Sequence, residues 1–381
     1  MSENTRPMNN IAAKLRNCGK SLPRISKASG IGESRVGEIA SGAQPTLAEL
    51  RKLASALGLA LSDFVIEAGE KKPVALLFRQ TMGVLKRSQI PTVERLSAQI
   101  ERSLQLLRSA KSPHWITGFD TTHDTYIDAE RDAETFRNLF FDRDLVSPLL
   151  SLPDLVIHKL GILLLIAQRQ KIDGASAVID GIPFVFVSPR FPPRMLFTLA
   201  HEMGHLVASH HPGTDFAIFD MEESIGGNGA KRDKQERFSD AFASCLLMPV
   251  AGIGIALKKI RELYKVQEDR LGDVEILLLG RVFGVSFQAA ARRCEDLNLL
   301  PRGSAASLYE EICKHYGSPE RRAVALKLPP GPEVKFPSVP PRLLEAVVQK
   351  IRNGDISIGS AAAALNVSIS SLIDTNRRLN S

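Results

Sequence analysis

The segment Met195-Leu196-Phe197-Thr198-Leu199-Ala200-His201-Glu202-Met203-Gly204-His205-Leu206-Val207-Ala208 sets two imidazoles and a carboxylate in a stretch that is otherwise apolar. A helix with hardly any polar side belongs in a protein interior, so the fold has to be built around this segment. Buried there without partners, His201, Glu202 and His205 would be strongly destabilising, and a metal ion removes that penalty. Four residues apart on a helix, the two histidines project from one face and can hold one ion through their ring nitrogens, with Glu202 beside it. Zinc held by neutral ligands lowers the pKa of a water to about 7, and an adjacent carboxylate can take the remaining proton and pass it to a leaving amine. His-Glu-x-x-His on a helix is the signature of that chemistry, and the apolar flanks weigh against a chance match.

A catalytic zinc site needs a third protein ligand and keeps one position open. Residues 234–249 read as a helix with apolar positions at Phe238, Ala241, Phe242, Cys245 and Leu246, stopped by Pro249. Glu236 and Asp240 share another face, continued by Ala243 and Leu247, which points both carboxylates into protein. Glu236 is therefore a candidate metal ligand, and Asp240 a candidate acceptor for the outer N–H of a liganding histidine, fixing its tautomer. Two rivals remain for the third ligand, His211 and Asp215. His211 stands where HExxHxxGxxH would place a third histidine, but that pattern turns on a glycine and this chain has Ala208. His210, His211, Pro212 and Gly213 together also read as a plain helix end, with histidines complementing its dipole.

Phe197-Thr198-Leu199-Ala200-His201-Glu202-Met203-Gly204-His205, followed by Glu236, Asp240, Phe242-Ala243 and Leu246-Leu247-Met248-Pro249, resembles the ImmA/IrrE metallopeptidases of bacteria and their mobile elements. The resemblance covers roughly residues 150 to 260 and rests on two separated motifs that agree in order and spacing. It departs at Phe238 and Ser239, where many relatives carry an acidic residue and an alanine. The resemblance implies a gluzincin-type core and proteolysis of a transcriptional repressor.

Ala175–Ile179 and Ile182–Val187 are β-rich runs separated by Asp180-Gly181, a strong hairpin signal, so a small sheet should precede the zinc helix. Pro183 near a strand's start suggests an edge strand able to take up an extended peptide. Gly161–Ile166 suits a strand or a buried helix equally well.

Residues 22–31 and 33–42 have the rhythm of two short helices across a glycine-centred turn, and residues 46–58 supply a third amphipathic helix behind them. This arrangement resembles the Cro/C1-type (XRE family) helix-turn-helix, whose second helix enters the major groove. By that resemblance Ser34 and Arg35 would face bases or phosphates. Glu33 and Glu38 put negative charge on the same helix, which leaves a partner-binding role open. Residues 1–72 carry 11 Lys+Arg against 7 Asp+Glu, residues 301–381 the same, and the middle 27 against 28, so the net charge of +7 arises at the ends. Basic flanks favour attraction to nucleic acid.

The expected fold class is α+β and mainly helical, with an all-α helix-turn-helix domain at 1–72, a helical spacer at 73–150, a gluzincin-like peptidase at 151–328, a proline-rich linker at 329–341 and a helical tail at 342–381. In the tail, Ile358–Leu365 and Ser368–Ile373 form a second helix-turn-helix-like pair whose alanine-rich first helix suits docking on the peptidase better than reading DNA. Trp115, Phe119 and Tyr126 read as core packing, with a ligand pocket as the rival. Cys18, Cys245, Cys294 and Cys313 show no CxxC spacing, the N-terminus lacks a signal-peptide core, and Leu160–Ala167 is too short to cross a bilayer; a reduced cytoplasm with no membrane partner fits best.

These readings converge on a Zn2+-dependent endopeptidase, with Glu202 as base and His201, His205 and Glu236 as ligands. Its protein partner would be a repressor or antitoxin, with DNA held by the N-terminal domain and a homodimer left open. The alternatives are a regulator whose peptidase domain senses or binds a partner, and a zinc-stabilised scaffold without turnover.

Overall fold

The computed structural model describes residues 20–57, 74–82, 89–107, 125–167, 172–209, 214–221, 234–268, 270–336, 339–365, 367–370 and 372–373, with the single positions 12, 15, 87 and 119. The class is α+β: helices dominate around one small mixed sheet.

Near the N-terminus stand α1 (Leu22–Ser29), α2 (Glu33–Ala40) and α3 (Leu47–Leu57). Gly30 ends α1 at φ 65°, the left-handed cap that glycine adopts without strain, and its N–H returns to the Ser26 carbonyl. Ile25, Val36, Ile39, Leu53 and Leu57 meet in a core of this unit's own.

Two helices, α4 (Val74–Met82) and α5 (Ile90–Leu106), precede α6 (Tyr126–Phe140) and α7 (Leu152–His158). Four strands follow: β1 (Leu163–Ile166), β2 (Ile172–Ile179), β3 (Ile182–Val187) and β4 (Phe216–Met221). The long helix α8 (Pro192–Ser209) lies between β3 and β4. Then come α9 (Lys234–Leu247), α10 (Val250–Tyr264), α11 (Asp273–Phe283), α12 (Phe287–Asp296), α13 (Ser304–Tyr316), α14 (Pro319–Ala325), α15 (Pro341–Arg352) and α16 (Ile358–Leu365).

The sheet runs β1-β3-β2-β4, with β1 parallel to β3 and β2 antiparallel to both its neighbours. Asp180 and Gly181 both have positive φ, 52° and 74°, as a two-residue type I′ turn demands. The edge role suggested by Pro183 does not hold, because β3 lies between β1 and β2. Pro183 is tolerated for a local reason. It pairs with Val178 one step from the Ile179–Ile182 pair that closes the turn, so its nitrogen faces away from β2. On that side β1 begins only opposite Phe184.

Both faces of the sheet are covered, which explains why β3 is apolar and buried at every position instead of alternating. Leu164, Val178, Val185, Phe216 and Ile218 pack towards α8 and α9. On the other face, Leu163, Ala177, Phe184, Phe186 and Phe219 share a second core with α4, α5, α15 and α16. The stretch read as a spacer therefore divides across the sheet: α4 and α5 line the second face, while α6 packs on α9, with Phe136 edge-on to Phe242 at 6.2 Å. The tail's first helices close that second face through Leu343, Leu344, Val347 and Ala361.

Two buried arginines fix the end of α9. Arg137 donates from Nε to the Leu246 carbonyl at 2.8 Å, and Arg293 from Nε to the Met248 carbonyl at 3.0 Å, satisfying acceptors that a helix end leaves open. No single helix among the described residues is long and apolar enough to cross a membrane.

Candidate metal centre

Helix α8 carries His201, Glu202 and His205 fully buried beneath the sheet, and the approach of α9 brings Glu236 and Asp240 to them. Gly204 permits that approach: a Cβ there would stand 2.8 Å from Cα of Ser239, so any larger residue would force the two helices apart. Small residues at both 204 and 239 thus let the α9 carboxylates reach the α8 imidazoles.

The Nε2 atoms of the two histidines face each other at 3.0 Å. Glu236 lies 3.4 Å from His205 Nε2 and 3.6 Å from His201 Nε2, one carboxylate oxygen to each. Asp220, from β4, places Oδ2 3.2 Å from His201 Nε2 and 3.5 Å from His205 Nε2. These four residues have donor atoms all within 4.8 Å of one another. A tetrahedral zinc with bonds of about 2.0–2.2 Å has ligand-to-ligand edges of about 3.3–3.6 Å, so the close approach of these donors is compatible with a metal site.

Asp240 completes the orientation of His201. Its Oδ1 lies 3.0 Å from His201 Nδ1, so the proton belongs on Nδ1 and the Nε2 lone pair points into the cluster. Neither carboxylate oxygen of Glu202, nor Oδ2 of Asp220, nor Nδ1 of His205 has a hydrogen-bond partner among the described residues. Several unsatisfied polar atoms in one fully buried pocket fit a site built for an ion.

The electrostatics agree. Burial alone would lower both histidine pKa values, but the carboxylates of Asp220 and Glu236 outweigh it and hold His201 up at about 10 and His205 at about 9. Glu202 is pushed well above its ordinary value by burial and by the nearby Asp220. Asp220 moves well below its ordinary value despite burial, because both imidazoles favour its charged form. Without a metal the pocket therefore recruits protons, and a divalent cation supplies the same positive charge in one atom.

Residues 157–295 match the family model Peptidase_M78, the IrrE N-terminal-like domain. That match supports the ImmA/IrrE family of metallopeptidases for this part of the chain, from the end of α7 to α12. Among curated proteins none matches the chain.

The remaining sequence candidates fall elsewhere. Asp215 accepts the Asp180 N–H at 3.0 Å, at the tip of the β2–β3 hairpin, and is not among the clustered donors. His211 lies outside the described residues, as does Trp115. Phe119 packs against the main core, and Tyr126 lines a cavity of about 480 Å3 together with Phe191, Phe197, Arg237 and Asp240. Ser34 is exposed on α2. Arg35 is partly exposed on the same helix and already engaged: its Nε donates to Glu49 at 2.8 Å, and its terminal nitrogens to Glu38 and the Gln44 carbonyl, each at 2.9 Å.

Sequence reasoning missed two residues of the site. Asp220 is an acid in the otherwise apolar strand Phe-Ala-Ile-Phe-Asp-Met, on the face it shares with Phe216 and Ile218, and a lone buried carboxylate was the available signal. Gly174, paired with Asp220 across the sheet, sits against Glu202; glycine inside a strand often marks such a close approach.

Proposed function

We propose that this chain is a zinc-dependent endopeptidase that cleaves a transcriptional repressor or antitoxin, with the α1–α3 unit as its DNA-binding module. The observation that carries the peptidase reading is the close set of His201, His205, Glu236 and Asp220 donors, all but Glu236 buried, with Glu202, both of whose oxygens lack a partner among the described residues, beside them. Zinc, when bound, supplies a Lewis acid that makes a water nucleophilic at neutral pH. His201, His205 and Glu236 would hold it. Asp240 keeps His201 in the tautomer that presents Nε2. Glu202 takes the proton from the attacking water and returns it to the departing amine of the peptide. The cavity beside Asp240 is of a size to take a bulky substrate side chain.

For the DNA-binding part, the support is the succession of three short helices α1–α3, with a left-handed Gly30 between the first two, and the basic excess of residues 1–72. One observation favours a second reading, in which this unit docks a protein. The side of α2 open to solvent presents Glu33 and Glu38, and the guanidinium of Arg35 is engaged by Glu49 and Glu38.

Glu202→Gln tests the peptidase reading, since it removes the base and keeps the size. Cleavage of a repressor encoded beside the protein, followed on a gel, should fall about a hundredfold or more with zinc content unchanged. Full-length repressor alongside normal gene induction in the variant would exclude proteolysis as the switch.

A further inference from the structure

The peptidase reading needs three ligands, yet the fold delivers four donors. Asp220 is 4 % exposed, and its Oδ2 faces both Nε2 atoms without a hydrogen bond of its own. Structural zinc sites fill all four positions with protein, whereas catalytic ones keep one open for water and substrate. Resting on the metal-site reading, we propose that Asp220 is a displaceable fourth ligand, so that the centre as folded is closed and opens only when the end of β4 withdraws.

The placement of Asp220 suits such a ligand. It is the penultimate residue of β4, which pairs with β2 alone among the described strands. The β2–β4 ladder is irregular between Ile172 and Gly174, opposite Met221 and Asp220, so pairing is disrupted where the ligand sits. His201, His205 and Glu236, by contrast, project from the packed helices α8 and α9. Of the four donors, Asp220 alone comes from a strand, near the end of an edge strand of the sheet and beside the irregularity in its ladder. On opening, the Asp220 carboxylate departs as an anion and water fills the vacated position, leaving Glu202 and the three helical ligands in place.

Cobalt substitution of the full chain tests this, because the visible spectrum of Co2+ reports its coordination directly. In the wild type, added azide should leave the spectrum unchanged at concentrations that shift it fully in Asp220→Asn. Azide should act on the variant at concentrations lower by about tenfold or more, and the variant's Co2+ affinity, measured against a competing chelator, should fall by about tenfold or more. Asparagine keeps the size of the side chain, and the wild-type titration needs no variant at all. Azide entering the wild type as readily as the variant, or unchanged Co2+ affinity in both Asp220→Asn and Asp220→Ala, overturns the proposal while leaving the metal site standing. Failure of the wild type to bind one Co2+, or binding unaffected by His205→Ala, removes the metal-site reading and this inference with it.

Discussion

Gly174 of β2 lies directly against the Glu202 carboxylate. A Cβ at residue 174 would collide with Oε1 of Glu202 and stand 2.8 Å from Cγ2 of Thr198. The strand thus acts as a wall that fixes where the carboxylate can be, while Gly204 allows α9 to close on the opposite side of the helix.

Gly174→Ala should therefore displace Glu202 or the strand. Overpacking of this kind costs about 1–3 kcal/mol, and the expected result is a lower melting temperature with proteolysis reduced at least as much as folding. Wild-type melting and activity in the variant would mean that Glu202 has room to spare.

Asp240→Ala removes the acceptor that sets the His201 tautomer. Zinc affinity should fall by about 10- to 100-fold, the usual effect of losing such a partner, and chelator competition reads it directly. Unchanged affinity would show that helix packing alone orients the ring.

The pH dependence follows from the raised histidines. Both sit above their ordinary value of 6.5, His205 at about 9 and His201 at about 10, so the metal-free fold binds their protons more tightly than the unfolded chain does. Their stabilising contribution is complete below pH 6.5 and is lost as the pH rises through 9 and then 10. Zinc displaces those protons, so its affinity should rise with pH, by up to about a hundredfold per unit while two protons are released. Melting of chelator-treated and zinc-loaded protein between pH 6 and pH 10 should show a widening gap. A constant gap would mean that the two histidines are neutral before metal arrives.

Arg35→Ala bears on the α1–α3 unit. The guanidinium bridges α2 to α3 through Glu49, whose carboxyl it holds down at about 2 together with the Thr46 N–H. Its loss should loosen the packing of these helices and leave the salt dependence of the DNA binding proposed for the full chain unaltered. A salt slope reduced by about one unit would instead make Arg35 a phosphate contact.

The sequence alone determined what depends on local spacing and composition. The 201–205 motif in its apolar run, the Glu236 and Asp240 face of the 234–247 helix, the Asp180-Gly181 hairpin and the glycine-punctuated helices of residues 22–57 were all legible, because each is written within one or two turns of chain. Only the tertiary structure decided what depends on which segments meet. It placed Asp220 beside the histidines, set Gly174 against Glu202, made β3 internal despite Pro183, and brought helices that precede and follow the sheet in sequence onto its second face. Periodicity shows that a strand has two faces, but not which neighbour covers each. An acid in an apolar strand shows that it needs a partner, and only packing supplies the partner's identity.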